Sequence, residues 1–240
     1  MTTYVYIDGF NFYYGAIRST RTHWLNLNKF VARLNGGAVD KIKFCTAMVS
    51  DTSNDSQKSV RQQTYHQALT SLPNVEIILG HFRTHGVAKP VHQCGNSPLC
   101  FVQVSIREEK GSDVNLASHL IHDAHLGMFD KAIVISGDSD LAEPVRIVAH
   151  ELHKRVIVFN PRQVGSRELQ AAATQYRTIR PNVLGQCQFP QEVQLPDATT
   201  VHCPREWIPG YPRQQLQPRV RVACDDCQVT IRTHRRPVGS

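Results

Sequence analysis

Short apolar runs alternate along this chain with longer stretches in which apolar residues recur every three or four positions. Tyr4 to Ile7, Ile42 to Val49, Val75 to Leu79, Ala132 to Ile135 and Arg155 to Phe159 are the runs. Their near-continuous, β-branched character predicts strands buried on both faces, as in a parallel sheet. Between them, about Asn11 to Ile17, Trp24 to Leu34, Ser56 to Leu72, Asp113 to Leu126 and Leu141 to Leu152 predict helices. Strand and helix alternate, so the expected fold class is α/β, a doubly wound, mostly parallel sheet. Phe101 to Ile106 alternates as an edge strand or hairpin would. The stretch before it, roughly His85 to Cys100, is rich in Gly, Pro, Cys and His and predicts an irregular loop. Arg155 to Phe159 is the last clear strand, and no internal repeat is present.

The pattern changes near Phe189, where prolines recur and periodicity fades. The expected organisation is a domain over residues 1–207 and a basic, flexible tail over 208–240. The tail holds six Arg against two Asp, a net +4, which leaves +3 of the chain's +7 for residues 1–207. That balance favours polyanionic partners and says nothing of fold. No apolar run approaches membrane length, so no membrane association is expected. The start, MTTYVYIDGF, enters a strand at once and lacks the features of a signal peptide, which points to the cytoplasm. Seven cysteines, an odd number, suit free thiols or metal ligands better than a disulfide framework.

Carboxylates gather at the predicted strand ends. Asp8 follows the first strand, and Asp138 and Asp140 follow the Ala132–Ile135 strand. Asp113 opens the helix that precedes that strand, and Asn11 lies one short turn beyond Asp8. In an open parallel sheet the ligand site lies outside the carboxyl ends of the strands, where strand order reverses. If the first strand is central and adjoins Ala132–Ile135, the four acids meet at one edge. Carboxylates so grouped repel unless protons or cations intervene, and Mg²⁺ or Mn²⁺ suits an all-oxygen site. Taken singly, each also has a structural reading: Asp140 and Asn11 as helix caps, Asp113 as a first-turn acid facing the helix dipole.

Three ordered motifs carry a family resemblance. Tyr6-Ile7-Asp8-Gly9-Phe10-Asn11-Phe12-Tyr13-Tyr14-Gly15 resembles the opening motif of LabA-like NYN domains. Glu108-Glu109-Lys110-Gly111-Ser112-Asp113-Val114-Asn115-Leu116-Ala117 is similar to their second motif, and Ser136-Gly137-Asp138-Ser139-Asp140-Leu141 to their third. Many relatives carry Asn where Gly137 stands, a departure that leaves the acids intact. The resemblance covers about residues 3–207. It implies a PIN-like fold and a metal-dependent ribonuclease site, in which an acidic cluster binds Mg²⁺ or Mn²⁺ and activates water against RNA. On it, Asp8, Asp113, Asp138 and Asp140 would be the metal-binding, catalytic acids. Asn11 would be a neighbouring polar ligand or substrate contact, and Ser136 and Ser139 would orient a water or carboxylate beside the substrate.

Other residues have paired readings. Lys110 would touch a scissile phosphate, offset the acids, or stand solvated. Arg18, Arg21, Lys29 and Arg33 would form a basic rim for RNA or be scattered surface charge. Phe10, Phe12, Tyr13 and Tyr14 offer base-stacking rings, although core packing is expected of at least two. Cys224 and Cys227 have the spacing of half a zinc site, which Cys203 and His234 would complete; two exposed thiols are the simpler account. Zinc in the loop with His92, Cys94 and Cys100 is less suited still. Cys45 and Cys187 read as packing residues, and His119, His122 and His125 as solvent-facing. No Gly-x-Gly-x-x-Gly follows the first strand, so no organic cofactor is expected and a redox enzyme ranks last. A non-catalytic module that binds RNA or a regulatory protein is the alternative to a ribonuclease, and self-association is left open.

Overall fold

The computed structural model describes residues 1–51, 55–90 and 101–211, with the backbone at 222–223 and 230–231. Seven strands build the main sheet: β1 (Thr3–Asp8), β2 (Lys41–Ala47), β3 (Val75–Pro90), β4 (Phe101–Lys110), β5 (Lys131–Ile135), β6 (Arg155–Asn160) and β7 (Gln175–Thr178). Their order is β4-β3-β2-β1-β5-β6-β7, and every pairing is parallel except that of β3 with β4. The helices are α1 (Gly9–Phe12), which runs on as a wider turn over Tyr13–Ile17, then α2 (Leu27–Asn35), α3 (Lys58–Leu69), α4 (Ser112–His125), α5 (Ala142–Arg146), α6 (Arg167–Ala172) and α7 (Pro181–Gly185). A small antiparallel pair, β8 (Glu192–Gln194) and β9 (Thr200–His202), follows.

Both faces of the sheet are covered, which accounts for the unbroken apolar runs. Val5, Ile7, Ile42 and Phe44 pack with Phe12, Phe30 and Leu69 on one face. Tyr6, Cys45, Val134 and Val158 pack with Leu116, Leu120 and Val145 on the other. Neighbouring residues on each strand thus serve opposite cores, and each large apolar side chain fully buried stabilises the fold by about 1.5–3 kcal/mol.

The chain leaves β1 towards β2 and β3 on one side and returns to add β5, β6 and β7 on the other. Strand order therefore reverses between β1 and β5, and the crevice of such a sheet opens at their carboxyl ends.

The expected irregular loop from His85 is corrected in its first part. Beyond the pairing of Ala47 with Gly80, β3 continues as the outgoing arm of a hairpin, with β4 antiparallel in a register running from His81↔Lys110 to Pro90↔Phe101. Ten paired residues at about 3.3 Å each project roughly 30 Å past the carboxyl edge. Residues 91–100, and with them His92, Cys94 and Cys100, lie outside the described residues, as do Cys224, Cys227 and His234. Strand β7 and the β8–β9 pair depart from the expectation too: β7 is a short edge strand with two exposed residues, and β8 and β9 each bury only their central residue. No helix among the described residues is long and apolar enough to cross a membrane.

Candidate functional site

The reversal point holds four of the expected residues in one hydrogen-bonded group. Asp8 ends β1, is buried, and caps α1 by accepting from the Asn11 N–H at 2.9 Å through Oδ1. Its Oδ2 accepts from the Ser136 hydroxyl at 2.9 Å. Ser136 is fully buried just past β5, and its Oγ accepts from the Asp138 N–H at 3.1 Å. Asn11 closes the group: its Oδ1 accepts from the Gly137 N–H at 2.9 Å. The segment after β5 is thus pinned to the end of β1 by side chains from both strands. Gly9 permits this, because a Cβ there would stand 2.9 Å from the Cys45 carbonyl oxygen and from Thr46 Cβ on β2.

Burial pushes the Asp8 carboxyl up to about 6; the hydrogen bonds from Asn11 and Ser136 pull it down, and the negative charges of Asp138 and Glu109 add to the rise. Asp138 is half-buried and accepts from the Asp140 N–H at 3.1 Å. Ser139 and Asp140 stand exposed in the next turn, at the rim.

Two expected members are placed differently. Asp113 is half-buried in the first turn of α4, where its Oδ1 accepts from the Val114 N–H at 2.9 Å. The charge felt by Asp8 from that region is that of Glu109, at the base of the hairpin. Glu109 also accepts from the Ser112 N–H at 3.1 Å, which fixes it at the start of α4. Lys110 pairs with Glu108 at 3.0 Å and is exposed; successive residues of a strand point to opposite faces, so this pair lies on the hairpin face turned from Glu109. Sequence reasoning misses Glu109 although it stands in the second motif. Its signal is its place one residue before the end of β4, three residues beyond the Phe101–Ile106 strand that the pattern predicts.

Among the described residues, no three His, Cys, Asp or Glu side chains converge tightly enough to form a metal cage by themselves. Mg²⁺ needs less than a cage: it keeps several waters and takes one or two carboxylates plus substrate phosphates. Asp8 and Asp138 fit that demand. Each Asp8 oxygen accepts one hydrogen bond and keeps a lone pair, and its raised pKa marks negative charge that a cation would relieve.

Gly137 has a local reason. A side chain there would run into the amide oxygen of Asn160, which is fully buried at the end of β6. Asn160 holds the following turn, accepting from the Arg162 N–H and donating to the Val164 carbonyl, both at 2.9 Å. His119 departs from the solvent-facing expectation: it is half-buried, with Nδ1 3.2 Å from Lys43 Nζ, whereas His122 and His125 are exposed. Cys45 and Cys187 are buried, as expected of packing residues.

Beside the start of α1, on the α1 and α3 side of the sheet, lies a cavity of about 170 Å³ that Gly9 and Phe10 help to line. Phe12, Tyr13, Phe44, Tyr65 and Trp207 supply rings to its wall, and Arg61 and His66 are among its polar lining. Arg61 is already paired with Asp55 at 2.5 Å and Glu206 at 3.4 Å. Burial pulls His66 down to about 4, so it is neutral at pH 7.

The family model of the NYN domain matches residues 2–180. The 6-hydroxy-3-succinoylpyridine 3-monooxygenase HspA of Pseudomonas putida (strain DSM 28022 / S16) is 27% identical over 223 residues, which cover 80% of this chain and 72% of that protein. A crystal structure of a protein of unknown function, VPA0982 from Vibrio parahaemolyticus RIMD 2210633, is similar at a TM-score of 0.49 and 21% identity, over 75% of this chain and 93% of that one.

Proposed function

This chain belongs to the NYN domain family, and on that premise we propose that it is a divalent-metal-dependent ribonuclease acting at the β1–β5 edge. The fold is PIN-like, of the nuclease type. The observation that carries the proposal is the buried Asp8, held by Asn11 and Ser136 at the reversal point with the charge of Asp138 beside it. Asp8 and Asp138 would hold Mg²⁺ or Mn²⁺, with Asp140 and Asp113 as further acids of the rim. Such an ion, when bound, supplies Lewis acidity towards a phosphodiester and acidifies a bound water. The chain's own residues set the stage for it. Ser136 and Asn11 fix the Asp8 carboxylate, so its lone pairs keep one direction. Burial withholds the competing water that would screen it. Ser139, exposed at the rim, is the proposed phosphate contact.

The test is cleavage of end-labelled RNA in Mg²⁺, Mn²⁺ or EDTA. Wild type is expected to cut only with metal, and Asp8→Asn or Asp138→Asn to abolish cutting. Ser136→Ala, which frees Asp8 Oδ2, is expected to cost about 10- to 100-fold. Cleavage that persists in EDTA, or in Asp8→Asn/Asp138→Asn, sinks the proposal. RNA binding without cleavage would favour the non-catalytic module.

A second reading has an observation of its own. The ring-lined cavity beside the start of α1 suits a small aromatic compound, and the relative HspA is named as a monooxygenase of a pyridine. Conversion of a hydroxypyridine by the pure protein with dioxygen and a two-electron reductant, together with inert RNA, would establish this reading over the first.

A further inference from the structure

We propose that a guanidinium-capped row of rings, Arg107–Phe82–Phe10–Tyr14–Arg18, is the track on which this protein binds its RNA, and that the RNA it takes is single-stranded. The inference rests on the ribonuclease reading and names the form of polynucleotide that the site accepts.

Phe10, Tyr14 and Arg18 recur at intervals of four, so they form one stripe along α1 and its continuation. The Phe10 and Tyr14 rings lie 6.4 Å apart at an interplanar angle of 20°. The Arg18 guanidinium lies 5.4 Å from the Tyr14 ring centre. At the other end, Phe82 of the hairpin meets Phe10 edge-on at 5.8 Å and 87°, and the Arg107 guanidinium covers Phe82 at 4.3 Å. Arg107 pairs with Thr84, so it is the diagonal neighbour of Phe82 on the same hairpin face. The row therefore bridges two elements that are far apart in sequence.

Its position ties it to the acids. Phe10 stands two residues after Asp8, and Phe82 is directly opposite Glu109. Its exposure is unusual for rings: Tyr14 is 47% exposed, Phe10 and Phe82 are only half-buried, and both arginines are exposed. Neither Arg18 nor Arg107 has an ion-pair partner among the described residues. A row of rings with an unpaired cation at each end suits a single strand, because unpaired bases stack on the rings while the phosphates meet the guanidinium groups. A duplex buries its base faces in its own stack and could use only the cations.

The experiment is fluorescence anisotropy in EDTA, so that no RNA is cut, with a labelled oligouridylate as the single strand and a labelled RNA duplex of equal length. The single strand is expected to bind at least about 10-fold tighter than the duplex. Tyr14→Ala is expected to weaken single-strand binding about 5- to 100-fold, with Tyr14→Phe restoring it. Arg107→Gln is expected to lower the slope of log K against log salt by about 0.7. These positions are exposed, and an unchanged melting curve establishes that each variant is folded. Equal or tighter duplex binding, or a Tyr14→Ala variant that binds as wild type does, overturns the track while metal-dependent cleavage by wild type leaves the ribonuclease reading standing. A wild type that neither binds nor cuts RNA overturns both.

Discussion

Asp8 is buried and yet has to be ionised to hold a cation. Folding moves its carboxyl from an ordinary 3.8 to about 6. The folded, metal-free protein therefore binds more protons than the unfolded chain between those values, and stability falls as pH rises from about 4 to about 6. The full effect corresponds to about 3 kcal/mol. His66 works against it: its folded pKa lies near 4, below the ordinary 6.5, so its contribution to stability grows as pH rises through that window. A comparison of wild type with Asp8→Asn separates the two. In EDTA the variant is expected to gain stability over wild type progressively between pH 4 and 6, reaching about 3 kcal/mol at pH 7, as read from urea midpoints. A difference that stays flat across the window would mean that burial does not raise Asp8. At this scale much of the site was legible, because Asp8, Asn11, Ser136 and Asp138 lie within a few residues of two strand ends that the apolar runs mark. Glu109 was not, since nothing in an alternating, charged arm signals which of Glu108, Glu109 and Lys110 turns inward.

The elements owe their mutual placement to buried polar contacts as well as to apolar packing. Tyr6 of β1 donates to Asp123 Oδ2 at 2.7 Å, and Lys43 of β2 reaches the same oxygen at 2.6 Å. All three are buried, and Asp123 stands on α4, so two central strands are tied to the helix that begins beside Glu109. Asp123→Ala would leave the Lys43 ammonium buried without its counter-charge, at a cost of about 3–5 kcal/mol. The expected result is a fall in Tm of roughly 6–20 °C, measured by calorimetry. A loss under about 1 kcal/mol would mean that the pair is solvated rather than buried. None of this was legible: a Lys inside an apolar run and an Asp late in a helix read as surface residues until α4 is laid over β1 and β2. The hairpin was half legible for a related reason. Its β4 arm alternates, but the outer half of β3 carries His81, Arg83, His85 and Gly86 and covers no core, so neither period appears.

Across the whole molecule, charge is shared unevenly. The chain carries +7, of which the six Arg and two Asp beyond residue 207 contribute +4. Residues 1–207 therefore offer RNA little net attraction, and their own pull comes from local groups such as Arg18 and Arg107 beside an edge that repels phosphate unless a cation is present. This division predicts two separable modes of RNA binding. Arginines of the C-terminal segment add affinity that any polyanion would feel and that salt removes; the ring track adds affinity that depends on unpaired bases and that salt leaves largely in place. Replacing all six of those arginines with glutamine in the full chain is expected to reduce the slope of log K against log salt by up to about 4, since each single-strand phosphate that an arginine neutralises contributes about 0.7. The preference for single strand over duplex is expected to survive, because stacking on Phe10 and Tyr14 is untouched. Anisotropy titrations between 50 and 300 mM salt, roughly the range over which such ionic attractions dominate, measure both quantities. If the substitutions erase the single-strand preference and leave the salt slope as it was, discrimination resides in the C-terminal segment and residues 1–207 contribute only the acidic edge.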